Sequence, residues 1–258
     1  MNILFIGDTV ARAGRSILHQ HLKSLQETCA VDLTVVNCEN AAGGFGITPK
    51  IADELFDWGV DVLTSGNHIW DKKEIFPYLD SNALLLRPAN YPPGNPGRGS
   101  VVAKTRSGEK VAILNVQGRV FMPSIDDPFR TVDSELSALP PDVRVIIVDM
   151  HAEATAEKVA MGWYLDGRVS AVLGTHTHIP TADETILPEG TAYQTDVGMT
   201  GPFHSVIGVM TEDVLRRFLQ QTPVRFEPAS REARLNAALI EVDSGTGKAR
   251  SIERIQRG

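Results

Sequence analysis

The sequence predicts an α/β fold in which two mixed β-sheets stack on each other and are flanked by helices. The first half alternates apolar segments with segments of helical periodicity, which is typical of parallel strands joined by helical crossovers. The last part is rich in strand-like segments separated by turns, which favours antiparallel pairing. With 258 residues the chain can bury one large core, so we expect a single domain over residues 1–258.

Three strand–helix units are predicted in the first half. Apolar runs predict strands over residues 2–6, 32–36 and 61–64. The spacing of apolar residues predicts a helix over residues 14–29. Thr48 followed by Pro49 is typical of a helix cap with proline in the first turn, and this helix should run to Trp58. We expect a third helix to open at Asp71.

The second half begins with residues 87–99, whose many prolines and glycines predict an ordered surface loop. Strand-like segments follow at residues 100–105, 110–116, 143–148, 169–173, 191–195, 206–210, 235–242 and 249–255. The first two should form a hairpin. Helices are expected over residues 153–165 and 211–221, the second capped by Thr211.

Composition narrows the class of protein. The formal net charge of −7 disfavours a general nucleic-acid-binding protein, which needs a broad cationic surface. No segment approaches the roughly 18 apolar residues of a membrane helix, and residues 1–8 predict a strand rather than a signal peptide. Two cysteines, Cys29 and Cys38, form no disulfide framework, so we expect a cytoplasmic protein with Cys38 in the core. Homo-oligomerisation is left open.

Two histidines, His176 and His178, come directly after the predicted strand 169–173. In an extended backbone, side chains two positions apart point to the same side, so both imidazoles should face one point. Nearby histidines are most often ordinary surface or core residues. A pair placed at a strand end, however, suits a metal ion or a phosphate.

Other polar side chains also follow predicted strands. The chain has seven histidines, and four of them follow apolar segments: His68, His151, His176 and His178. Similar positions are occupied by Asp8, Glu39, Asn40 and Asn67. Ligands of α/β sheets collect at the carboxyl ends of the strands, so we expect these side chains to converge on one site.

The residue types in this set predict a metal centre. Two carboxylates, several imidazoles and amide oxygens suit iron or manganese, and also zinc, better than calcium. The lack of clustered cysteines argues against a structural zinc site. Glu39 has two oxygens, enough to bridge two ions. Two divalent ions and two carboxylates leave a modest positive charge, which suits a singly charged phosphodiester.

The motifs that carry these residues resemble those of a known family. They are Gly7-Asp8, Cys38-Glu39-Asn40, Gly66-Asn67-His68, His151-Ala152-Glu153 and Gly174-Thr175-His176-Thr177-His178. In this order they resemble the binuclear metallophosphoesterase superfamily, and within it the bacterial YmdB-like branch of 2′,3′-cyclic-nucleotide phosphodiesterases. The resemblance covers nearly the whole chain and implies a metallophosphoesterase-like α/β/β/α sandwich.

The sequence also departs from the superfamily pattern. The usual Asp-x-His opening is Asp8-Thr9-Val10 here, and Glu39 replaces the usual bridging aspartate. The resemblance to the branch implies that Asn40 supplies the missing ligand as a neutral oxygen. It implies two divalent or mixed-valence ions per chain, one held by Asp8, Glu39, Asn40 and His178, and the other by Glu39, Asn67, His151 and His176.

The expected reaction is hydrolysis of a small phosphodiester, such as a 2′,3′-cyclic nucleotide, by a metal-bridging hydroxide. The resemblance implies that His68 donates a proton to the leaving oxygen, while its alternative role is to orient Asn67. Two other functions remain open. One is a phosphomonoesterase or protein phosphatase with the same centre. The other is a regulatory protein whose metal site is mainly structural.

Overall fold

The computed structural model describes all residues from 1 to 258 and contains two six-stranded sheets. The first sheet consists of β1 (Asn2–Ile6), β2 (Leu33–Asn37), β3 (Val62–Thr64), β10 (Gly201–Pro202), β11 (Ala233–Val242) and β12 (Ala249–Arg257). The second consists of β4 (Ser100–Lys104), β5 (Lys110–Gln117), β6 (Val145–His151), β7 (Ala171–Thr175), β8 (Thr185–Ile186) and β9 (Ala192–Gln194).

Six α-helices accompany the sheets. They are α1 (Ala11–Thr28), α2 (Pro49–Asp57), α3 (Ile75–Ser81), α4 (Pro128–Ala138), α5 (Thr155–Leu165) and α6 (Thr211–Gln220), and a short 3-10 turn spans Asn67–Trp70. None of these helices combines the length and apolarity required to cross a bilayer.

Both sheets mix parallel and antiparallel pairs. In the first, β1, β2 and β3 are parallel, and β11 pairs antiparallel with both β1 and β12. In the second, β5, β6, β7 and β9 are parallel, and β4 and β8 pair antiparallel at the two edges. The predicted fold class of two stacked mixed sheets with helices outside is confirmed.

The alternation of side chains along the strands explains the layers. In β1, Ile3 and Phe5 enter a core cluster shared with residues of the second sheet, such as Ile113 and Ile147. Leu4 and Ile6 point the other way and pack in a cluster with residues of the first three helices. Because successive strand residues face opposite sides, a segment buried on both faces must be apolar throughout, as residues 3–6 of β1 are.

Several local predictions are confirmed and others are wrong. Thr48 caps α2 by accepting a hydrogen bond from the Ile51 N–H, as expected. Asp71 opens no helix, because the chain forms the 3-10 turn just before it and α3 begins only at Ile75. Thr211 is the first residue of α6, and the cap position is Met210, which makes no side-chain cap bond.

Two further differences between the predicted and the observed secondary structure lie in segments whose sequence indicates their structure only weakly. Residues 206–210 form a loop with isolated bridges rather than a strand, because Gly208 has a positive φ of 98°. Helix α4 was not predicted. Two residues mark the start of this helix. Asp127 caps it, because its carboxylate accepts hydrogen bonds from the N–H groups of Phe129 and Arg130, and Pro128 lies in the first turn.

Candidate metal centre

The ends of five strands bring the predicted site residues together. Asp8 follows β1, Glu39 and Asn40 follow β2, and Asn67 and His68 follow β3. In the second sheet, His151 ends β6, and the two histidines His176 and His178 follow β7. Most of this set is buried: the exposed fraction is 0% for Asp8 and His151 and 1% for Glu39.

The two histidines after β7 do not continue the strand, so the extended backbone expected for them is wrong. The φ angles are 91° at His176 and 67° at His178, and such values are uncommon outside glycine. Backbone contacts hold this segment, since the His176 N–H donates to Asp8 Oδ2 at 3.2 Å. Both side chains nevertheless line the same cavity.

Each histidine belongs to a different group of ligand atoms. One group consists of Glu39, His151 and His176, and the other of Asp8, Glu39 and His178. Within each group the candidate ligand atoms lie within 4.8 Å of one another. Glu39 is common to both groups, which is the arrangement that a carboxylate bridging two cations requires.

Each of the three buried oxygen-bearing side chains is fixed through one polar atom and leaves the other unpartnered. Glu39 Oε2 accepts from the His68 N–H at 3.1 Å, and the Asn40 amide donates to the Gly44 carbonyl at 2.9 Å. Asp8 Oδ1, Glu39 Oε1 and Asn40 Oδ1 have no hydrogen-bond partner. Unpartnered buried oxygens are costly, so their convergence indicates a cation site.

The histidines show the same pattern. His178 Nδ1 donates to the Ile207 carbonyl at 2.8 Å, which leaves the lone pair on Nε2. His151 Nδ1 lies 2.9 Å from Thr175 Oγ1, whose own hydrogen goes to Asp149 Oδ1 at 2.7 Å. Thr175 therefore accepts from His151 Nδ1, and His151 Nε2 is the ring nitrogen that faces the cluster.

Around His151 Nε2 the contacts have no consistent pattern of donors and acceptors. This nitrogen lies 3.1 Å from Glu39 Oε1, 3.2 Å from Asn67 Oδ1 and 3.1 Å from His176 Nδ1. A proton on Nε2 could serve only one of these three acceptors. A metal cation can accept a lone pair from all of them, so the residues present fit a metal ion.

The charges of neighbouring groups set the protonation of this cluster. Burial raises the pKa of Glu39, but the His151 imidazole outweighs burial and lowers that pKa to about 2. Burial lowers the pKa of His151, but the Glu39 carboxylate outweighs it and raises that pKa to about 9. Burial lowers the pKa of His176 to about 3. Glu39 is thus ionised and His176 neutral, the forms that bind metals, whereas His151 is protonated and pairs with Glu39, so binding of a metal there would release this proton.

A family comparison agrees with this geometry. The sequence profile of the YmdB-like protein family matches residues 4–255. The chain belongs to the YmdB-like family. The resemblance predicted from the five motifs is therefore confirmed.

Individual relatives support the same family assignment. A 2′,3′-cyclic-nucleotide 2′-phosphodiesterase of Bacillus subtilis (strain 168) is 48% identical over 99% of this chain and 96% of its own length. A putative phosphatase/phosphodiesterase of Mycoplasma pneumoniae is 38% identical over 99% of this chain and 92% of its own length.

Solved structures show the same fold. A hypothetical protein from Thermus thermophilus superposes with a TM-score of 0.94 at 44% identity and covers 100% of this chain and 99% of that one. A phosphatase from Mycoplasma pneumoniae superposes with a TM-score of 0.93 at 37% identity, with coverages of 100% and 93%.

In this YmdB-like chain a buried polar network supports the cluster from behind. Asp149 accepts hydrogen bonds from Asn37 at 3.0 Å, Thr64 at 2.5 Å and Thr175 at 2.7 Å. Burial raises the pKa of Asp149 to about 6. The sequence analysis missed this residue, although an aspartate two positions before His151 in an apolar strand points to the same face and signals a buried partner.

A buried ion pair fixes the segment between the two histidines. Lys158 Nζ lies 2.6 Å from Asp196 Oδ2, and the two side chains are 1% and 0% exposed. Asp196 Oδ2 also accepts from the N–H of Thr177 at 3.2 Å and from its hydroxyl at 2.6 Å. Neither Lys158 nor Asp196 is among the residues predicted for the site.

His68 lies at the front of the YmdB-like cluster, and its side chain is 28% exposed. Its Nδ1 lies 2.9 Å from Asp71 Oδ2, so Asp71 orients this ring rather than capping a helix.

Glu153, expected as a helix residue, precedes α5, and its Oε2 lies 3.2 Å from His176 Nε2. Glu153 thereby leaves His176 Nδ1 free to face the cluster.

A single glycine permits the close approach of the two sheets at this point. A Cβ atom on Gly66 would overlap the His151 ring and the Glu39 carboxylate. Any side chain at this position would therefore displace two of the candidate ligands. This explains on physical grounds why glycine precedes Asn67 in the motif.

The cluster forms the floor of a cavity of about 270 Å³. The residues that line it include His68, His176 and His178 on the floor and several apolar side chains above them. Its lining contains no lysine and no arginine. The YmdB-like site is therefore an open pocket with a polar floor and a largely uncharged upper part.

Proposed function

We propose that this protein is a metal-dependent phosphodiesterase that hydrolyses small phosphodiesters of the 2′,3′-cyclic-nucleotide type. The observation that carries the proposal is the set of unpartnered oxygens and nitrogens around Glu39, at the floor of an open cavity. The relative from Bacillus subtilis, named as a 2′,3′-cyclic-nucleotide 2′-phosphodiesterase, supports the substrate class.

The proposal includes two metal ions per chain. Asp8, Glu39, Asn40 and His178 would hold one ion, and Glu39, Asn67, His151 and His176 would hold the other. The donor set suits iron or manganese and also accepts zinc. Bound there, a pair of cations supplies Lewis acidity and an activated water for in-line displacement at phosphorus.

In this proposal His68 provides the proton for the leaving oxygen. Asp71 accepts from Nδ1 and orients the ring, and no hydrogen bond in the protein occupies Nε2. The side chain lines the cavity, and an imidazole is suited to proton transfer near neutral pH. The sugar oxygen released from a cyclic ester would accept this proton.

The same metal set could also hydrolyse phosphomonoesters, and both the relative and the solved structure from Mycoplasma pneumoniae carry names that include phosphatase. A monoester dianion favours additional cationic groups around the phosphate. The cavity contains no lysine or arginine, so its charge favours the singly charged diester.

The test is reconstitution of activity after chelation. Metal-depleted protein receives Mn²⁺ or Fe²⁺ and is assayed with bis-(p-nitrophenyl) phosphate, p-nitrophenyl phosphate and 2′,3′-cyclic AMP. We expect activity to disappear on chelation, to return with metal, and to be higher for both diesters than for the monoester. Faster monoester hydrolysis favours the phosphatase. Full metal loading without turnover of any substrate favours the regulatory protein.

A further inference from the structure

We propose that the upper part of the cavity is a binding site for an uncharged aromatic group, the nucleobase of the substrate. This upper wall consists of Phe45, Ile207, Val209, Phe226 and Pro228. The inference rests on the proposed function and adds a determinant of substrate choice to it.

The upper wall is attached directly to the metal-site residues. The Phe45 ring packs edge-on against His68, with 5.0 Å between ring centroids. The Asn40 amide donates to the Gly44 carbonyl next to Phe45, and His178 Nδ1 donates to the Ile207 carbonyl. Direct contacts thus join the wall to the floor, and both line one cavity, so one ligand can contact both.

Backbone hydrogen bonds give the wall a defined shape although it is formed by loops. The Met210 N–H donates to the Glu227 carbonyl, and the Ala229 N–H donates to the Gly208 carbonyl, both at 2.9 Å. These bonds join the segment that carries Ile207 to the segment that carries Phe226. Two aromatic rings and three aliphatic side chains therefore stand at a single preformed pocket.

The chemistry of the reaction places the sugar on the same side as Phe45. In a 2′,3′-cyclic nucleotide the leaving oxygen belongs to the ribose, so its proton donor must lie on the ribose side of the phosphate. His68 is the proposed donor, and Phe45 packs against it. The base is attached to that ribose, which brings it to the upper wall rather than to the opposite side.

The charge and the size of the cavity favour a ligand with a single uncharged base. The only acidic side chains that line the cavity besides Glu39 are Glu153 and Glu227, and no lysine or arginine lines the cavity to oppose them. A second phosphate would therefore meet negative charge without compensation. The volume of about 270 Å³ is just below the usual range for small-molecule sites, so it suits a mononucleotide better than a longer chain.

The experiment compares 2′,3′-cyclic AMP with methyl riboside 2′,3′-cyclic phosphate, which has the same ester and no base. The variants are Phe226→Ala and Phe45→Ala, and Phe226→Trp tests whether an aromatic ring restores binding. Phe218→Ala is the control, because Phe218 is 69% exposed on α6 and does not line the cavity. Metal content is measured in every variant.

We expect Phe226→Ala to lower kcat/KM for 2′,3′-cyclic AMP by about 5- to 150-fold, the range of base–aromatic stacking, mainly through KM. The change for the base-free ester should be less than about twofold, and Phe226→Trp should recover most of the loss. Phe45→Ala should likewise lower kcat/KM more for 2′,3′-cyclic AMP than for the base-free ester. Because Phe45 packs against His68, any displacement of His68 in this variant would lower kcat/KM for both esters in addition.

Two results would overturn the base site. One is wild-type protein that hydrolyses both cyclic esters with equal kcat/KM. The other is a Phe226→Ala variant that loses both activities in parallel at unchanged metal content, which indicates a structural role. Wild-type protein that hydrolyses neither ester contradicts the proposed function itself, so the two failures are distinguishable.

Discussion

The floor of the cavity comes from strand ends, whereas its upper wall comes from loops. Directly below the floor, Asp8 and His151 are fully buried, and each side chain is fixed by a hydrogen bond. On the wall, Ile207 is 48% exposed, and Gly44 and Gly208 have positive φ angles. A rigid polar floor suits one chemistry, while a loop-built apolar wall can change its substrate preference without disturbing that chemistry.

The largest effect is expected on the floor from Glu39→Ala. This change removes the carboxylate shared by both ligand groups, so both ions should be lost and kcat/KM should fall by about a thousandfold or more. Elemental analysis of the purified variant and turnover of bis-(p-nitrophenyl) phosphate measure the two effects. Asp53→Ala, an exposed carboxylate outside the cavity, is the control. Full metal loading in Glu39→Ala would show that Glu39 is not the bridge.

The stability of the structure that carries the floor should depend on the buried ion pair between Lys158 and Asp196. Lys158→Met leaves Asp196 buried and unpaired, so the free energy of unfolding should fall by about 3–5 kcal/mol. The matched control is Arg254→Met, because Arg254 makes a 2.6 Å ion pair with Glu184 while 42% exposed, and the loss there should be below about 1 kcal/mol. Denaturant unfolding compares the two, and equal losses would contradict this account.

At the boundary between floor and wall, His68→Ala should lower kcat by about a hundredfold, as the loss of a general acid does. Metal content should stay at the wild-type level, because His68 is not a member of either ligand group. Asp71→Asn should cause a smaller loss by weakening the 2.9 Å contact to Nδ1. Loss of metal in His68→Ala would instead make His68 a ligand.

The smallest effect concerns the core just below the floor. Burial raises the pKa of the Cys38 thiol well above its usual range, and the thiol donates to the Thr64 carbonyl at 3.1 Å. A higher pKa means less thiolate, so only the partly exposed Cys29 should react with an aromatic disulfide reagent in folded protein. Cys29→Ser should leave no reactive thiol until denaturation, whereas two reactive thiols in native protein would contradict this placement.

The strands and the polar residues at their ends were predictable because they depend on local pattern. Short, nearly continuous apolar runs place β1, β2 and β6, and parallel pairing then brings the carboxyl ends of neighbouring strands together. The eight predicted site residues do converge in the structure. Their roles as metal ligands and as proton donor remain predictions that the variants above test.

Features that depend on distant parts of the chain were not predictable. Lys158 and Asp196 are 38 positions apart, and neither residue's neighbours signal the pairing. The positive φ angles of His176 and His178 are imposed by contacts with Asp8, Asp196 and Ile207 rather than by local preference. The upper wall likewise joins Phe45 to residues some 160 to 180 positions later, which no periodicity reveals.

The unpartnered oxygens around Glu39 have a consequence for folding. Their burial costs free energy that a bound cation would recover, so the folded state should become more stable as free metal rises, by RT ln(1 + [metal]/Kd). The melting temperature would then report metal supply. Chains made under metal limitation would unfold more often and be exposed to proteolysis, which would couple the amount of this protein to the metal it requires.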